Sequence, residues 1–244
     1  PELHNHAFRL CGERALYLPL PSPDPAPVLA WLASGRLRGL SVTMPHKQAV
    51  LAAVERLEPG GAAVGAVNTL WIEEGRVHGA NTDLEAAAGA LVELKAAPGD
   101  PVALIGAGGA AAAVLHAAVS LGLDCRLYNR TPARAEALCA RLGGMVGGRP
   151  ADLDPETFRV VVNATPLGAA EPLPQALARA DWSRTAILDL AYGGGATELE
   201  GIAAASGGAY IGGLDFLVRQ AAGQFRRWTR RRLAPEQFAA GLRQ

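Results

Sequence analysis

The sequence predicts an α/β fold built on a parallel sheet with helices on both faces, and three observations carry that prediction. From Asp83 onward short apolar runs alternate with alanine-rich helical stretches. A G-x-G-x-x-A spacing sits where one such run meets a helix, and the segment before Asp83 mixes helices with a pair of strands. With 244 residues, 50% of them apolar, the chain is long enough for one large domain or two modest ones.

The first 82 residues read as a helix over Glu2–Gly12, a proline-rich connection over Pro19–Pro27 and a helix over Val28–Ser34. A β-branched run, Ser41-Val42-Thr43, ends ahead of Pro45. Behind it Val50, Val54 and Leu57 share one helical face, which predicts a helix over His46–Leu57 with proline at its first position. Lys47 then lies in the first turn, where the helix dipole disfavours a cation by about 0.3–1 kcal/mol. Val64–Ile72 and Arg76–Asn81 read as two strands joined by "EEG".

After Asp83 the order is helix Leu84–Lys95, strand Val102–Ile105, helix Ala107–Leu121, strand Arg126–Tyr128 and helix Arg134–Leu142. Buried strands follow at Val160–Asn163 and Ala186–Leu190, then helices over Leu214–Trp228 and Pro235–Leu242. In "PVALIGAGGAAAAVLHAA", Gly106, Gly108 and Ala111 have the dinucleotide-binding spacing. The first glycine makes the tight turn, the second lets a pyrophosphate approach, and the helix N-terminus offers unpaired N–H donors. An NAD site would place a carboxylate at the end of the next strand. Here that strand ends "LYNRTPAR", so Asn129, Arg130, Thr131 and Arg134 offer a basic cluster for a 2′-phosphate, and NADP is the expected cofactor.

Lysine plus arginine equals aspartate plus glutamate at 23 each, so no global field favours nucleic acid, membrane or an acidic partner, and a small neutral molecule fits better. Arg226, Arg227, Arg230, Arg231 and Arg232 cluster, and a solvated helix end accounts for them more simply than a nucleic-acid patch. Cys11, Cys125 and Cys139 are too scattered for disulfides or zinc, which suggests a reducing, cytoplasmic setting, and no metal is expected. No apolar run approaches the roughly 18 residues of a membrane span. There is neither a G-x-S-x-G nor a paired cysteine and histidine for nucleophilic hydrolysis. Hydride chemistry on an alcohol needs a group to take and return the hydroxyl proton, and Lys47 with Asp83 beside it is the candidate pair. Asn68 and Thr43 are candidate hydroxyl-binding groups near strand ends.

Seven segments in register, "SVTMPHK", "GAVNT", "NTD", "GAGGA", "NRTPAR", "NATPLG" and "GLDFLVRQAA", make the chain closely resemble the shikimate dehydrogenase family over nearly its whole length. The resemblance implies reversible, NADPH-dependent reduction of 3-dehydroshikimate to shikimate in aromatic amino-acid biosynthesis. It implies two α/β domains around a cleft: residues 1–83 with 214–244 bind substrate, and the Rossmann domain 84–213 binds NADP. By motif match Lys47 is the acid–base and Asp83 its partner, while Thr43, Asn68, Tyr192 and Gln220 bind substrate. Gly106, Ala107, Gly108, Gly109 and Ala110, then Asn129, Arg130, Thr131 and Arg134, line the cofactor site, with Leu190, Gly213 and Thr165. Association as a homodimer stays open.

The chain departs from the family pattern at Ser41, usually asparagine, at Leu84, usually glycine, and after Tyr192, usually followed by proline. "PELHNHAF" resembles the middle of a motif that in the family follows a first strand and a loop with two serines, which bind the substrate carboxylate. Without those serines each lost contact would cost about 1.5–3 kcal/mol, and the sheet would keep an open edge; a missed start, disordered first residues that were left out, and divergence are the three explanations, and a missed or omitted start is the one expected. A quinate or related polyol-acid dehydrogenase, or a catalytically weak nucleotide-binding relative, are the alternatives.

Overall fold

The computed structural model describes residues 1–192 and 195–242. The chain divides into two compact units, one made of Pro1–Glu85 with Leu217–Gln244 and the other of Ala86–Phe216.

The first unit opens with α1 (Glu2–Leu10) and α2 (Ala26–Ala33), followed by β1 (Gly39–Ser41), β2 (Arg56–Leu57), α3 (Gly61–Val64), β3 (Thr69–Glu73) and β4 (Arg76–Ala80). The sheet order is β1-β3-β4-β2; β3 is antiparallel to both neighbours and β2 is parallel to β4. Leu32, Val50, Val67, Leu70 and Val77 pack on this sheet as one apolar cluster.

Two sequence expectations fail here. No α-helix spans His46–Leu57: a turn carries the chain through Lys47 into a 3₁₀ helix at Ala49–Ala53, and Arg56–Leu57 pairs with His78–Gly79. The apolar spacing is real, because Val50 is buried and Val54 sits against Gly79, but it serves a turn followed by an edge strand. Likewise Val64 closes α3, which Gly65 ends in the left-handed conformation, and the strand begins only at Thr69.

α4 (Thr82–Glu93) leads into the second unit, with β5 (Pro101–Ile105), α5 (Gly109–Ser120), β6 (Asp124–Tyr128), α6 (Pro132–Leu142), β7 (Met145–Gly148) and β8 (Val160–Asn163). After these come α7 (Gln175–Arg179), β9 (Ala186–Asp189), α8 (Glu198–Ser206) and β10 (Tyr210–Ile211). All six strands run parallel in the order β10-β9-β8-β5-β6-β7. The central strands β8 and β9 are buried at every residue, as apolar runs covered on both faces require. Strand order reverses between β5 and β8, and the carboxyl ends of those two strands are where an open α/β sheet receives a ligand.

The chain returns through α9 (Gly213–Thr229) and α10 (Pro235–Ala239). In the first unit Leu3, Ala7, Phe8, Val218, Ala221, Phe225 and Phe238 form an apolar cluster joining α1, α9 and α10. Four arginines at the C-terminal end of α9 and just beyond it are engaged by carboxylates: Arg226 by Glu85, Arg227 by both Glu58 and Glu85, Arg230 by Glu73 and Arg231 by Glu13. Gly223 makes this clasp possible, since a Cβ there would lie 1.8 Å from Glu85 Oε1. Among the described residues no helix is long and apolar enough to cross a membrane, and no group of histidine, cysteine or carboxylate side chains is arranged to hold a metal.

Candidate active site

The first unit collects four of the sequence-predicted residues in one hydrogen-bonded group. Lys47 Nζ donates to Asp83 Oδ2 at 2.7 Å, with the aspartate side chain 4% and the lysine side chain 20% exposed. Asp83 Oδ1 accepts from Asn68 Nδ2 at 2.9 Å, and the same nitrogen lies 3.3 Å from Gln220 Oε1 on α9. Asn68 is fully buried and its Oδ1 accepts from Thr69 Oγ1, Thr82 N and Thr82 Oγ1. The carboxylate is thus fixed from behind while the ammonium keeps access to solvent.

Local structure explains how the sequence arrives there. Asn81 Oδ1 accepts the Asp83 N–H at 3.1 Å, so Asn81 caps α4 and Asp83, on its first turn, is free to face Lys47. Lys47 is pinned by its own backbone, its carbonyl accepting Val67 N–H at 2.8 Å. The turn before it contains a cis Met44–Pro45 peptide, and the His46 ring donates from Nε2 to Ser22 O at 2.9 Å. Lys47 therefore does not stand at the start of an α-helix, and its charge is compensated by Asp83 and not set against a dipole. Thr43 is exposed at the head of the same turn, its carbonyl accepting His46 N–H at 3.0 Å.

Sequence reasoning missed what lies beneath this group. Gln224 Nε2 donates to Ser41 Oγ at 2.9 Å and to Asn68 O at 3.3 Å, and Gln224 Oε1 lies 3.0 Å from His4 Nε2. Burial pushes His4 down to about 4, against the opposing effect of its bond to Gln224. Two polar residues at helix positions otherwise surrounded by Leu3, Ala7, Ala221 and Phe225 were the available signal.

The second unit holds the glycine turn. Gly106 has φ +113°, and a Cβ there would lie 2.8 Å from Thr165 Cγ2 and 2.9 Å from Ala164 O, so only glycine fits. Gly108 and Gly109 face open space, with no heavy atom of the described residues within 4 Å of a Cβ at either. Gly108 is the N-cap of α5 and no side chain caps it, which leaves the first N–H groups, at Gly109, Ala110 and Ala111, free for an anion. Ala107 completes the turn. This is a donor set and a space that fit a pyrophosphate.

Asn129 Nδ2 donates to Thr131 O at 2.8 Å, and Thr131 is the N-cap of α6 without a side-chain cap bond. Arg130 and Arg134 are exposed, and Arg130 makes a loose 3.9 Å pair with Glu171. Thr165 Oγ1 donates to Asn163 Oδ1 at 2.6 Å, and Asn163 Nδ2 donates to Asp189 Oδ1 at 2.8 Å and to Leu167 O at 2.8 Å. Asp189 also accepts from Thr197 Oγ1 at 2.7 Å and Ala191 N at 3.1 Å, and burial raises its carboxyl above the ordinary range despite those bonds. This bracket, absent from the sequence reading apart from Thr165, sets the loop beside Gly106. Gly213 packs so closely on Leu190 and Ala191 that a Cβ would lie 2.4 Å from Ala191 O. Tyr192 is 57% exposed and stands next to residues 193 and 194, where the missing proline falls outside the described residues.

Residues 1–70 match a family model described as the shikimate dehydrogenase substrate binding domain. Over 252 residues the chain is 38% identical to the shikimate dehydrogenase (NADP(+)) of Salinibacter ruber, covering 95% of this chain and 87% of that one. Among solved structures, shikimate dehydrogenase from Aquifex aeolicus superposes with a TM-score of 0.91 at 26% identity, covering 100% of this chain and 92% of the other. Shikimate 5-dehydrogenase from Thermus thermophilus, in complex with NADP(H) and shikimate, gives 0.86 at 33% identity, with 100% and 93% covered. With identity of this level over nearly the whole length, the chain belongs to the shikimate dehydrogenase family.

Proposed function

We propose that this protein is an NADP-dependent oxidoreductase that interconverts 3-dehydroshikimate and shikimate, with Lys47 as the group that gives and takes the hydroxyl proton. The observation that carries the reading is the Lys47–Asp83 pair: a buried carboxylate, fixed by Asn68, holding a solvent-accessible ammonium at 2.7 Å.

Reducing a ketone adds a hydride to carbon and a proton to oxygen. A bound nicotinamide would supply that hydride in one direction and accept it in the other. Lys47 Nζ gives its proton to the carbonyl oxygen, and in the reverse direction takes it from the hydroxyl. Asp83 holds Nζ in line and accepts a hydrogen bond from the same hydroxyl, so the proton donor is oriented before the reaction starts. Thr43, Asn68, Gln220 and Tyr192 are the further substrate-binding candidates.

Gly106, Ala107, Gly108, Gly109 and Ala110 would hold the pyrophosphate. Arg130 and Arg134, with Asn129 and Thr131, would take the 2′-phosphate through charge-assisted bonds, and Thr165, Leu190 and Gly213 would line the remainder. Support comes from the open faces of Gly108 and Gly109 and from the uncapped start of α5.

The test follows NADPH absorbance during oxidation of shikimate, then of quinate. Turnover of shikimate with NADP well above that with NAD is expected. No turnover by a protein that binds NADP sinks the reading, and preference for quinate replaces the substrate.

A further inference from the structure

Asp83 is held by Asn68, so the precision of the Lys47 pair depends on what holds Asn68. Its backbone carbonyl accepts Val42 N–H at 2.8 Å and Gln224 Nε2 at 3.3 Å. Gln224, 3% exposed, also donates from Nε2 to Ser41 Oγ at 2.9 Å, so one amide group ties the end of β1 to the residue that leads into β3.

An amide can sit in a pocket in two orientations, and only one serves here. Turned over, Gln224 would set its oxygen against the Asn68 carbonyl and lose the bond. The other end of the amide decides. Gln224 Oε1 faces His4 Nε2 at 3.0 Å, which requires the imidazole hydrogen on Nε2. His4 Nδ1 is then an acceptor, buried without a hydrogen-bond partner among the described residues, and the neutral ring is enclosed by Tyr17 at a centroid distance of 4.6 Å, Trp228 at 4.9 Å, Phe238 at 6.2 Å and Phe8 at 6.5 Å. An enclosure of four aromatic rings and one amide oxygen keeps a single ring orientation.

We propose, resting on the dehydrogenase reading above, that Gln224 and His4 are positioning residues for the Lys47–Asp83 pair: Gln224 ties Asn68 to Ser41, and His4 holds the Gln224 amide in the orientation that does so. Neither touches the reacting atoms. Both act through Asn68, and His4 acts through Gln224.

That serial order is the testable content. Gln224→Met keeps the volume and removes both donated bonds, and His4→Phe keeps the aromatic enclosure and removes the N–H. Steady-state kinetics with shikimate and NADP are measured for the parent, the two single variants and the double variant. Gln224→Met is expected to lower kcat about tenfold, since small displacements of catalytic groups are costly, with KM for NADP within twofold. His4→Phe is expected to lower kcat by less, and the double variant to match Gln224→Met, because residues acting in series are not additive. If Gln224→Met does not fold, Gln224→Leu serves: it also fills the site and has no donor for Asn68 or Ser41, and the same kcat loss is expected.

An active parent whose folded Gln224 variants keep kcat within twofold overturns the role of Gln224. Additive losses in the double variant overturn the serial role of His4. An inactive parent that binds NADP overturns the dehydrogenase reading itself, and with it this proposal, so the two failures are told apart by the parent alone.

Discussion

The Lys47–Asp83 group and the glycine turn at Gly106–Ala110 prepare for ligands in opposite ways. In the first, charged and polar side chains satisfy one another almost completely, leaving the lysine as the accessible member. In the second, backbone donors at the start of α5 are left unsatisfied and side chains are removed from their path. The difference follows from the task. A proton-transfer group must be aimed before substrate arrives, and aiming takes a buried framework. A phosphate needs donors and room, which a glycine turn at a helix start provides without any side chain.

The sharpest way to break the comparison is Lys47→Ala. General acid–base catalysis contributes about 10²–10⁴-fold, so kcat with shikimate is expected to fall by about that much while NADP affinity holds. A large rise in KM with kcat preserved would make Lys47 a binding residue instead. Gly108→Val attacks the other side. Gly108 has φ −90° and ψ −170°, which valine adopts, and its Cβ would meet nothing within 4 Å. The variant is expected to unfold at the parent's denaturant midpoint yet bind NADP at least about tenfold more weakly, because the added methyls fill the space a pyrophosphate needs. Unchanged NADP binding by titration would mean that the turn is structural only.

The two sites were also unequally legible in the sequence. The glycine turn was readable because its chemistry belongs to the backbone, and backbone geometry leaves a fixed residue spacing between an apolar run and a helix. The same holds for β5, β8 and β9, whose uninterrupted apolar runs match strands buried on both faces. The Lys47 site brings together residues 36 apart, Lys47 and Asp83, and 152 apart, Asn68 and Gln220. No local period encodes such pairings: the needs of acid–base chemistry pointed to Lys47 with Asp83 and to Asn68, and the family resemblance supplied Gln220. His46–Leu57 shows the reverse error. Apolar spacing fitted a helix, but pairing of Arg56–Leu57 with β4 and the seat of Val54 on Gly79 decided otherwise, as tertiary contacts override local propensity.

Arg130 and Arg134 test whether the cofactor side is wholly a backbone site. Both are exposed, so their worth is screened by salt. Replacing both with alanine is expected to raise KM for NADP by roughly tenfold, within the range of one or two charge-assisted hydrogen bonds. KM for NAD should stay put, and the penalty should shrink as ionic strength rises. Equal effects on NADP and NAD would remove the 2′-phosphate from the account.

The smallest expected effect compares two buried aspartates. Asp83 faces an ammonium at 2.7 Å, whereas Asp189, fully buried, is met by neutral donors from Asn163, Thr197 and Ala191. Burial raises the Asp189 carboxyl, so the folded protein holds that proton more tightly than the unfolded chain does. The stabilisation this gives is full below the unfolded value, near 3.9, and is lost as pH rises through the raised folded value. Asparagine preserves the bonds with no proton to lose: its oxygen accepts from Asn163 and Ala191, and its amide donates to Thr197 Oγ1. Asp189→Asn should therefore gain stability relative to the parent as pH rises from the unfolded value through the raised folded one, read as a shift in urea midpoint. A difference independent of pH would mean that Asp189 does not titrate in that window, and that a buried carboxylate bracketing the glycine turn needs no cation to stay charged.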